Sequence, residues 1–251
     1  PEYVKRFEKD IDSYLVKVLE QMHITLNNGL SSEGYLPGRL HVKKKAKEFY
    51  QKYLSNPTRE SLVYAYALAN SEENASGNIV VTAPTCGSCA VVPAVLLSFQ
   101  KNNNVSDEKI IEALMVAGII GNIVKTNASI SGAEVGCQGE IGVACSMASA
   151  ALTYLENGDN YDIEYAGEVA LEHHLGMTCD PVDGMVQIPC IERNAVAAMQ
   201  AYNVASYVKL AGHNHNITLD SVIQVMNETG KDMHTKYRET STGGLAIHKR
   251  G

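Results

Sequence analysis

Apolar residues recur every three or four positions along most of the chain, the spacing that places them on one face of an α-helix. One such stripe runs from Val4 to Leu26 and contains Val4, Phe7, Ile11, Tyr14, Leu15, Val18 and Met22. The same pattern predicts helices over 41–54, 59–71, 107–124, 163–175, 191–211 and 219–234. Only residues 78–82 are rich in β-formers, and that run is too short to build a sheet. We therefore predict an all-α fold.

The segments between the predicted helices differ in composition. Residues 81–90, 125–140 and 238–244 are rich in Gly, Ser, Thr and Cys. The first two lead into helices of small residues, predicted over 90–100 and 141–155. Loops on a rigid scaffold are where functional sites are usually assembled. No repeat or low-complexity linker divides residues 1–251, so we predict a single helical domain with its site in these loops.

Charge and hydropathy narrow the classes of partner. The chain has 28 acidic and 21 basic residues, for a net charge of -7, and contains no long run of like charges. This balance does not favour a nucleic-acid or membrane-surface partner. The most apolar stretch, 113–124, is shorter than the roughly 18 residues of a membrane span. Charges throughout the first twenty residues argue against a secretory signal there, so we expect a cytoplasmic protein.

The six cysteines stand at positions 86, 89, 137, 145, 179 and 190. In a reducing compartment, clustered thiols bind metal or do chemistry more often than they form disulfides. Cys137, Cys179 and Cys190 each lie in a loop beside turn-forming glycine, aspartate or proline. Cys137 and Cys190 also stand just before predicted helices, where backbone amides favour an anionic thiolate.

Other interpretations of these cysteines stay open at this point. Thiols in tight loops are often no more than small buried apolar groups. Zinc is a second interpretation, although zinc sites favour short C-x2-4-C pairs and the interval from Cys179 to Cys190 is wider. Cys86 and Cys89 have C-x-x-C spacing, which suits either redox or metal chemistry or a plain loop-to-helix turn. Cys145 lies inside a small-residue helix and is predicted to be core.

Five stretches of the sequence carry a family resemblance. They are EGYLPGRL from residue 33, IVVTAPTCGSCAVVPAVL from 79, SGAEVGCQGEIGVACSMASAA from 131, EHHLGMTCDPVDGMVQIPCIERNA from 172 and KYRETSTGGLA from 236. Together, and in this order, they resemble the alpha chain of the iron–sulfur-dependent L-serine dehydratases. The three cysteines of interest are separated by 42 and 11 positions, which is similar to the ligand spacing of that family.

The resemblance implies a cofactor and a reaction. It implies that Cys137, Cys179 and Cys190 hold a [4Fe-4S] cluster in which one iron lacks a protein thiolate and acts as a Lewis acid. The implied reaction converts L-serine to pyruvate and ammonia. The alternatives are the same cluster acting on L-cysteine to release sulfide, and a non-catalytic cluster-bearing subunit. A pyridoxal phosphate enzyme fits poorly, because the α/β pattern expected of it is missing.

The resemblance also implies partners. The substrate would be a small amino acid. Single-chain members of the family carry an additional domain with a serine-rich, histidine-containing substrate loop, and no such loop is found in these 251 residues. We therefore expect a separate beta subunit that carries this loop, and we leave a homo-oligomer open.

Five hydroxyl side chains are candidates for holding the substrate carboxylate: Thr82, Thr85, Ser88, Ser129 and Ser131. Helix N-terminal amides beside them would assist, although plain capping and turn roles explain the same residues. No general base is assigned. Lys125 and Glu134 lie near Cys137 in sequence, but exposed salt bridges are the simpler roles for both. The histidines His173 and His174 end a helix and receive no catalytic role.

Overall fold

The computed structural model describes residues 1–213 and 215–248. These residues form helices α1 (Glu2–Phe7), α2 (Ile11–Ser31), α3 (Ala46–Ser55), α4 (Arg59–Ala75), α5 (Val91–Asn103), α6 (Asp107–Asn127), α7 (Gly132–Val135), α8 (Val143–Leu155), α9 (Asn160–Glu172), α10 (Cys190–Ala211) and α11 (Leu219–Asp232). Single 3-10 turns lie at Cys86–Ser88, Val182–Gly184, Thr235–Tyr237 and Gly244–Ile247. No β-sheet is present in this part of the chain, so the all-α prediction is confirmed.

Helix α8 lies at the centre of the core. It packs against α5, α6, α9 and α10, while α4 packs against α2, α3, α5 and α10. The small residues of α8 make this crowding feasible, because Ala144, Ala148, Ala150 and Ala151 are completely buried. Close packing of this kind produces one continuous apolar cluster with several residues from each long helix except α3, which contributes only Ala46.

The first predicted helix is two helices in the structure. The chain leaves α1 at Glu8, where φ is -116° and ψ is 93°, and α2 begins after Asp10. The backbone carbonyl of Asp10 accepts a hydrogen bond from the Ser13 hydroxyl at 2.9 Å, which stabilises the new start. The prediction of one continuous buried stripe was therefore wrong at its N-terminal end, where Phe7 and Tyr14 are exposed.

Helix α3 begins later than predicted, at Ala46 rather than at 41. The reason is a tertiary contact. The backbone amides of Lys45 and Ala46 donate to the Glu72 carboxylate of α4 at 2.6 and 3.2 Å. A carboxylate at a helix N-terminus supplies the acceptor that the first amides lack, so it defines where the helix starts.

Helix α6 contains the apolar stretch 113–124 and is longer than it. The stretch alone is too short for a membrane span, but the whole helix is not. It has 21 residues, and its mean hydropathy over an 18-residue window is 1.4, which is enough for a membrane span by length and composition. More than half of that window, 56%, is buried within the protein. A core helix meets the same criteria, so this one helix is weak evidence for a membrane.

The segment between α7 and α8 is irregular in a way that the sequence periodicity did not indicate. Gly136 ends α7 with φ of 74°, a conformation that favours glycine, and a Cβ there would lie 2.6 Å from the Met177 carbonyl oxygen. A π-helical turn, Gln138–Gly142, then runs directly into α8. Such turns are frequent at functional sites. This one places Cys137 and Glu140 next to each other.

Candidate metal centre

Two of the three predicted cysteine ligands meet in space. The sulfurs of Cys137 and Cys179 and a carboxylate oxygen of Glu140 all lie within 4.8 Å of one another. Both thiols contact Glu140 Oε2, at 3.9 Å from Cys137 Sγ and 3.8 Å from Cys179 Sγ. The two cysteines are buried, with 1% and 2% of their surface exposed. Soft sulfur donors of this kind suit iron–sulfur clusters and zinc.

Cys179 is held in place by the segment that follows α11. Its amide donates to the Tyr237 carbonyl at 2.8 Å, and its carbonyl accepts from the Glu239 amide at 2.6 Å. The neighbouring Asp180 carboxylate accepts from the Leu245 amide at 2.7 Å. The segment 237–245, which includes the loop marked by the sequence, therefore fixes the backbone of Cys179 and the Asp180 side chain.

Arg193 of α10 supplies positive charge beside the thiols. Its guanidinium donates to the Thr178 carbonyl at 2.7 Å and to the Asp180 carboxylate at 3.1 Å. The neighbouring Cys179 thiol, with help from Arg193, lowers the pKa of Cys137 against the opposing effect of burial. The proximity of Cys137, reinforced by burial, raises the pKa of Cys179. One thiol of the pair is thus prepared to be a thiolate.

Cys190 lies at the margin of this group. It is the first residue of α10 and is buried, but its sulfur is outside the set of donors within 4.8 Å of one another. Burial, followed by the nearby Cys137, raises the pKa of its thiol to about 12. Asn194, one turn later, donates to the carbonyls of Cys190 and Gly87 at 2.9 and 2.8 Å. The start of α10 is therefore tied to the 85–90 loop.

The 85–90 loop reaches the centre through Thr85. The Thr85 hydroxyl donates to Glu140 Oε1 at 2.7 Å. Ser88 is completely buried and its hydroxyl lies 3.1 Å from that of Thr85. A Cβ on Gly87 would lie 3.1 Å from Glu140 Oε1, so the backbone itself approaches the carboxylate. Thr82, the other candidate from this loop, is exposed.

Gly132 leaves space for the centre on its other side. A Cβ at this position would lie 2.8 Å from Glu140 Oε2 and 3.0 Å from Cys179 Sγ. Any side chain here would displace a donor atom. The glycine is needed for close approach of backbone to the site, since no positive φ accounts for it.

The remaining hydroxyl candidates, Ser129 and Ser131, lie on the segment before α7. The Ser131 amide donates to the Ser129 hydroxyl oxygen at 3.1 Å, and Ser131 stands at the N-cap of α7. Ser129 lines a cavity of about 380 Å³ together with Lys231 and Arg238. Arg238 Nε is buried and has no hydrogen-bond partner among the residues that the structure describes. An unpartnered donor of this kind suits an anionic ligand.

The other cysteines are outside the centre. Cys145 is completely buried in α8, where its thiol donates to the Ala197 carbonyl at 3.4 Å, as expected of a core residue. Cys89 is buried, and Cys86 is exposed. Neither belongs to a group of three metal donors in the described residues. Their role stays open.

Sequence reasoning missed Glu140 and Arg193. Glu140 follows Cys137 by three positions, in the order Cys-Gln-Gly-Glu, and residues three apart share a helix face. That spacing was the available signal. Arg193 likewise follows Cys190 by three positions on α10. Lys125, Glu134 and His173 are exposed. Neither Lys125 nor Glu134 forms one of the salt bridges seen among the described residues, so that expectation is not met. His174 is buried, which lowers its pKa.

Comparison with known proteins gives a consistent result. The family model described as "Serine dehydratase alpha chain" matches residues 2–246. The L-serine dehydratase of Haemophilus influenzae is 48% identical over 245 residues, which cover 94% of this chain and 54% of that protein. L-serine dehydratase TdcG of Escherichia coli is 48% identical over 254 aligned positions, covering 98% of this chain and 56% of that protein. The L-serine dehydratase of Streptomyces coelicolor is 45% identical, covering 97% and 54%. The chain spans about half the length of the curated relatives it matches.

Proposed function

Because the chain belongs to the serine dehydratase alpha chain family, we propose that it is the cofactor-bearing part of an L-serine dehydratase. The reaction would remove water from L-serine to give aminoacrylate, whose imine form hydrolyses to pyruvate and ammonia. The observation that carries the proposal is the convergence of Cys137, Cys179 and Glu140 in a buried group within a chain that resembles such enzymes over nearly its whole length.

The proposed cofactor is a [4Fe-4S] cluster held by Cys137, Cys179 and Cys190. The donor set fits this group, since two thiols lie together, a third is at their margin, and Gly132 has no side chain that would displace Cys179. When bound, such a cluster supplies a Lewis-acidic iron toward which a serine hydroxyl is a suitable ligand. All six cysteines are free, in keeping with the reducing environment that this cofactor needs and with a cytoplasmic enzyme of serine catabolism.

The chain's own residues have separate tasks in this proposal. The cysteines anchor the cofactor, and Arg193 offsets the negative charge of Cys137. The substrate carboxylate binds at the cavity lined by Ser129, Lys231 and Arg238, where two basic side chains supply positive charge. Thr85 and Ser88 position the Glu140 side chain rather than contact the substrate. Thr82 and Ser131 remain weaker substrate candidates of the same kind.

A partner completes the proposed enzyme. The curated relatives are nearly twice the length of this chain. We propose that a beta subunit or domain supplies the remaining substrate contacts, including a serine-rich, histidine-containing loop. The substrate is a small amino acid in this proposal, and neither nucleic acid nor membrane is required.

The decisive experiment is a product assay under strict anaerobic conditions. The reconstituted chain, with and without its beta partner, is incubated with L-serine or L-cysteine, and pyruvate and sulfide are measured. We expect pyruvate from L-serine only when both parts are present. Sulfide release from L-cysteine with no turnover of L-serine would replace the proposal by a desulfidase, and no turnover of either would favour a noncatalytic subunit.

A further inference from the structure

The C-x-x-C pair, Cys86 and Cys89, has no task in the proposed function. Both are free thiols, and the Cys89 amide donates to the Cys86 carbonyl at 3.3 Å, which closes the 3-10 turn Cys86–Ser88. Residues three apart in such a turn lie one above the other, with Cα atoms about 6 Å apart at a rise of about 2 Å per residue. Disulfides join Cα atoms about 4.4–6.8 Å apart. The backbone is therefore suited to a disulfide between these two cysteines.

The two cysteines also lie along one face of α4. The Cys89 thiol donates to the Asn70 carbonyl at 3.9 Å, and the Cys86 carbonyl accepts from the Asn74 side chain at 3.0 Å. Asn70 and Asn74 are one helical turn apart. Both cysteines line the same narrow crevice between the 3-10 turn, α4 and α10. No helix therefore lies between the two side chains.

The pair is asymmetric in its access to solvent. Cys86 is exposed, whereas only 2% of the surface of Cys89 is exposed. A molecule from solution meets the Cys86 sulfur first and does not reach Cys89 directly. An exposed thiol that reacts and a neighbouring thiol that resolves the product are the two parts that thiol–disulfide exchange needs.

Ser71 of α4 supplies a hydrogen-bond donor at the same place. Its hydroxyl lines the crevice with the two cysteines. The side chain is buried, with 4% of its surface exposed, and its oxygen has no hydrogen-bond partner among the residues that the structure describes. Buried hydroxyl groups without a partner are rare in folded proteins. A sulfur anion in the crevice would be an acceptor for this hydroxyl, and thiolate is the form that attacks and leaves during exchange.

From this arrangement we infer that Cys86 and Cys89 are a site of reversible thiol–disulfide exchange with small disulfides of the class of oxidised glutathione. Cys86 attacks one sulfur of the small disulfide, which forms a mixed disulfide and releases one thiol. Cys89 then attacks the Cys86 sulfur, which forms the internal bond and releases the second thiol. The two cysteine protons end on the released thiols, and the two electrons that the pair loses reduce the small disulfide. In a reducing compartment the internal bond is transient.

The site adjoins the start of α10. The Asn194 side chain donates to the Gly87 carbonyl at 2.8 Å and to the Cys190 carbonyl at 2.9 Å. Cys190 also lines the crevice. It is therefore the competing partner for Cys86, and the experiment must distinguish the two pairings. The inference goes beyond the proposed function, because exchange at Cys86 and Cys89 does not require a cluster.

The test incubates the full-length chain, purified anaerobically, with oxidised glutathione. Free thiols are then alkylated in denaturant, and disulfides are located by mass spectrometry of tryptic peptides. Trypsin leaves Cys86 and Cys89 on one peptide, 60–101, and Cys190 on another, 126–193. We expect an internal bond within 60–101 that dithiothreitol reverses. Cys145, which is completely buried, is the internal control and should stay reduced.

Three variants test the order of the steps. In Cys89→Ser we expect the mixed disulfide at Cys86 to accumulate at least about tenfold above the wild type, in which the neighbouring thiol resolves it at an effective concentration of the order of mM. In Cys86→Ser, Cys89 should stay reduced because it is buried. Ser71→Ala keeps both thiols and should slow formation of the internal bond about two- to tenfold, the loss of one hydrogen bond. This variant decides the matter if Cys89→Ser does not fold.

The outcomes separate this inference from the proposed function. A bond between peptides 60–101 and 126–193, equal amounts of mixed disulfide in the wild type and Cys89→Ser, or no loss of the Cys86 thiol would each overturn the exchange site. Iron content is measured on the same samples. A chain that binds no iron after reconstitution but still forms the bond would overturn the proposed cofactor and support the exchange site.

Discussion

Cys137 and Cys145 are eight residues apart and both are buried, yet their surroundings have little in common. Cys145 lies within the regular helix α8, packed among alanines, with a backbone carbonyl as the partner of its thiol. Cys137 stands just before the π-helical turn and contacts a second thiol and a carboxylate. Burial raises the pKa of Cys145 to about 12, whereas the pKa of Cys137 is lowered.

The contrast shows that burial does not distinguish a structural thiol from a ligand. What differs is the backbone around it. Regular helix satisfies its own amides and carbonyls, so α8 presents only side chains to its neighbours. The segments around Cys137, Cys179, Thr85 and Glu239 are irregular, and they bring polar groups from four parts of the chain to one place. Chemistry is expected where such segments converge.

The largest effect should come from exchanging a thiol in each region. Cys179→Ser removes a predicted ligand. Changes to groups around a ligand set typically lower activity by about 10- to 100-fold, and we expect a larger loss of pyruvate production here. Cys145→Ser alters a thiol that only packs, and activity should stay within about threefold of the wild type. An anaerobic assay of both variants measures the difference. Equal losses would remove the distinction between the two regions.

Two glycine substitutions test how tightly the backbone is packed at the metal centre and in the helical core. Gly132→Ala would place a Cβ 2.8 Å from Glu140 Oε2 and 3.0 Å from Cys179 Sγ. We expect cluster affinity to fall by about tenfold, measured by iron retention against a chelator. Gly118→Ala, in α6, meets nothing within 4 Å and should stabilise the fold by about 0.5–1 kcal/mol. Normal iron retention by Gly132→Ala would show that the site has more room than the structure indicates.

The charged contacts of the site should contribute to stability even without metal. Arg193→Ala removes hydrogen bonds to the Thr178 carbonyl and the Asp180 carboxylate. Because these contacts involve a charged donor in a mostly buried place, we expect the free energy of unfolding to fall by about 1.5–3 kcal/mol. Denaturant unfolding of the metal-free protein measures the change. A loss below 0.5 kcal/mol, as a rough threshold for surface changes, would mean that Arg193 acts only on the bound cofactor.

The core region has a titrating group of its own, Glu168 on α9. Burial, followed by the neighbouring Glu172, raises its pKa from 4.5 to about 8. Between these values the folded state holds a proton that the unfolded chain has lost, so the free energy of unfolding falls as pH rises from about 4.5 to 8.

Glu168→Gln should remove this part of the pH dependence. Glutamine does not ionise, and we expect the variant to gain on the order of 1–2 kcal/mol over the wild type between pH 5 and pH 8.5. Thermal unfolding at both pH values measures it. Parallel pH profiles for the two proteins would show that Glu168 ionises normally in the folded state.

The sequence predicted most of the helices and part of the candidate metal centre. Helical periodicity located α4, α6, α10 and α11 within a few residues, because each buries a stripe along its whole length. It could not locate the break before α2 or the delayed start of α3, which depends on the distant Glu72. The three cysteine loops were recognised from their motifs. Glu140 was missed because its importance depends on Cys179 and Thr85, which approach it only in the folded chain.

The central claim is that Cys137, Cys179 and Cys190 jointly hold one cluster. The most direct measurement is the iron and acid-labile sulfide content per chain after anaerobic reconstitution, for the wild type and for the variant with all three cysteines changed to serine. The account predicts about four irons and four sulfides in the wild type and almost none in the triple variant. A wild type that binds one zinc and no iron, or a triple variant that keeps its full iron content, would contradict it.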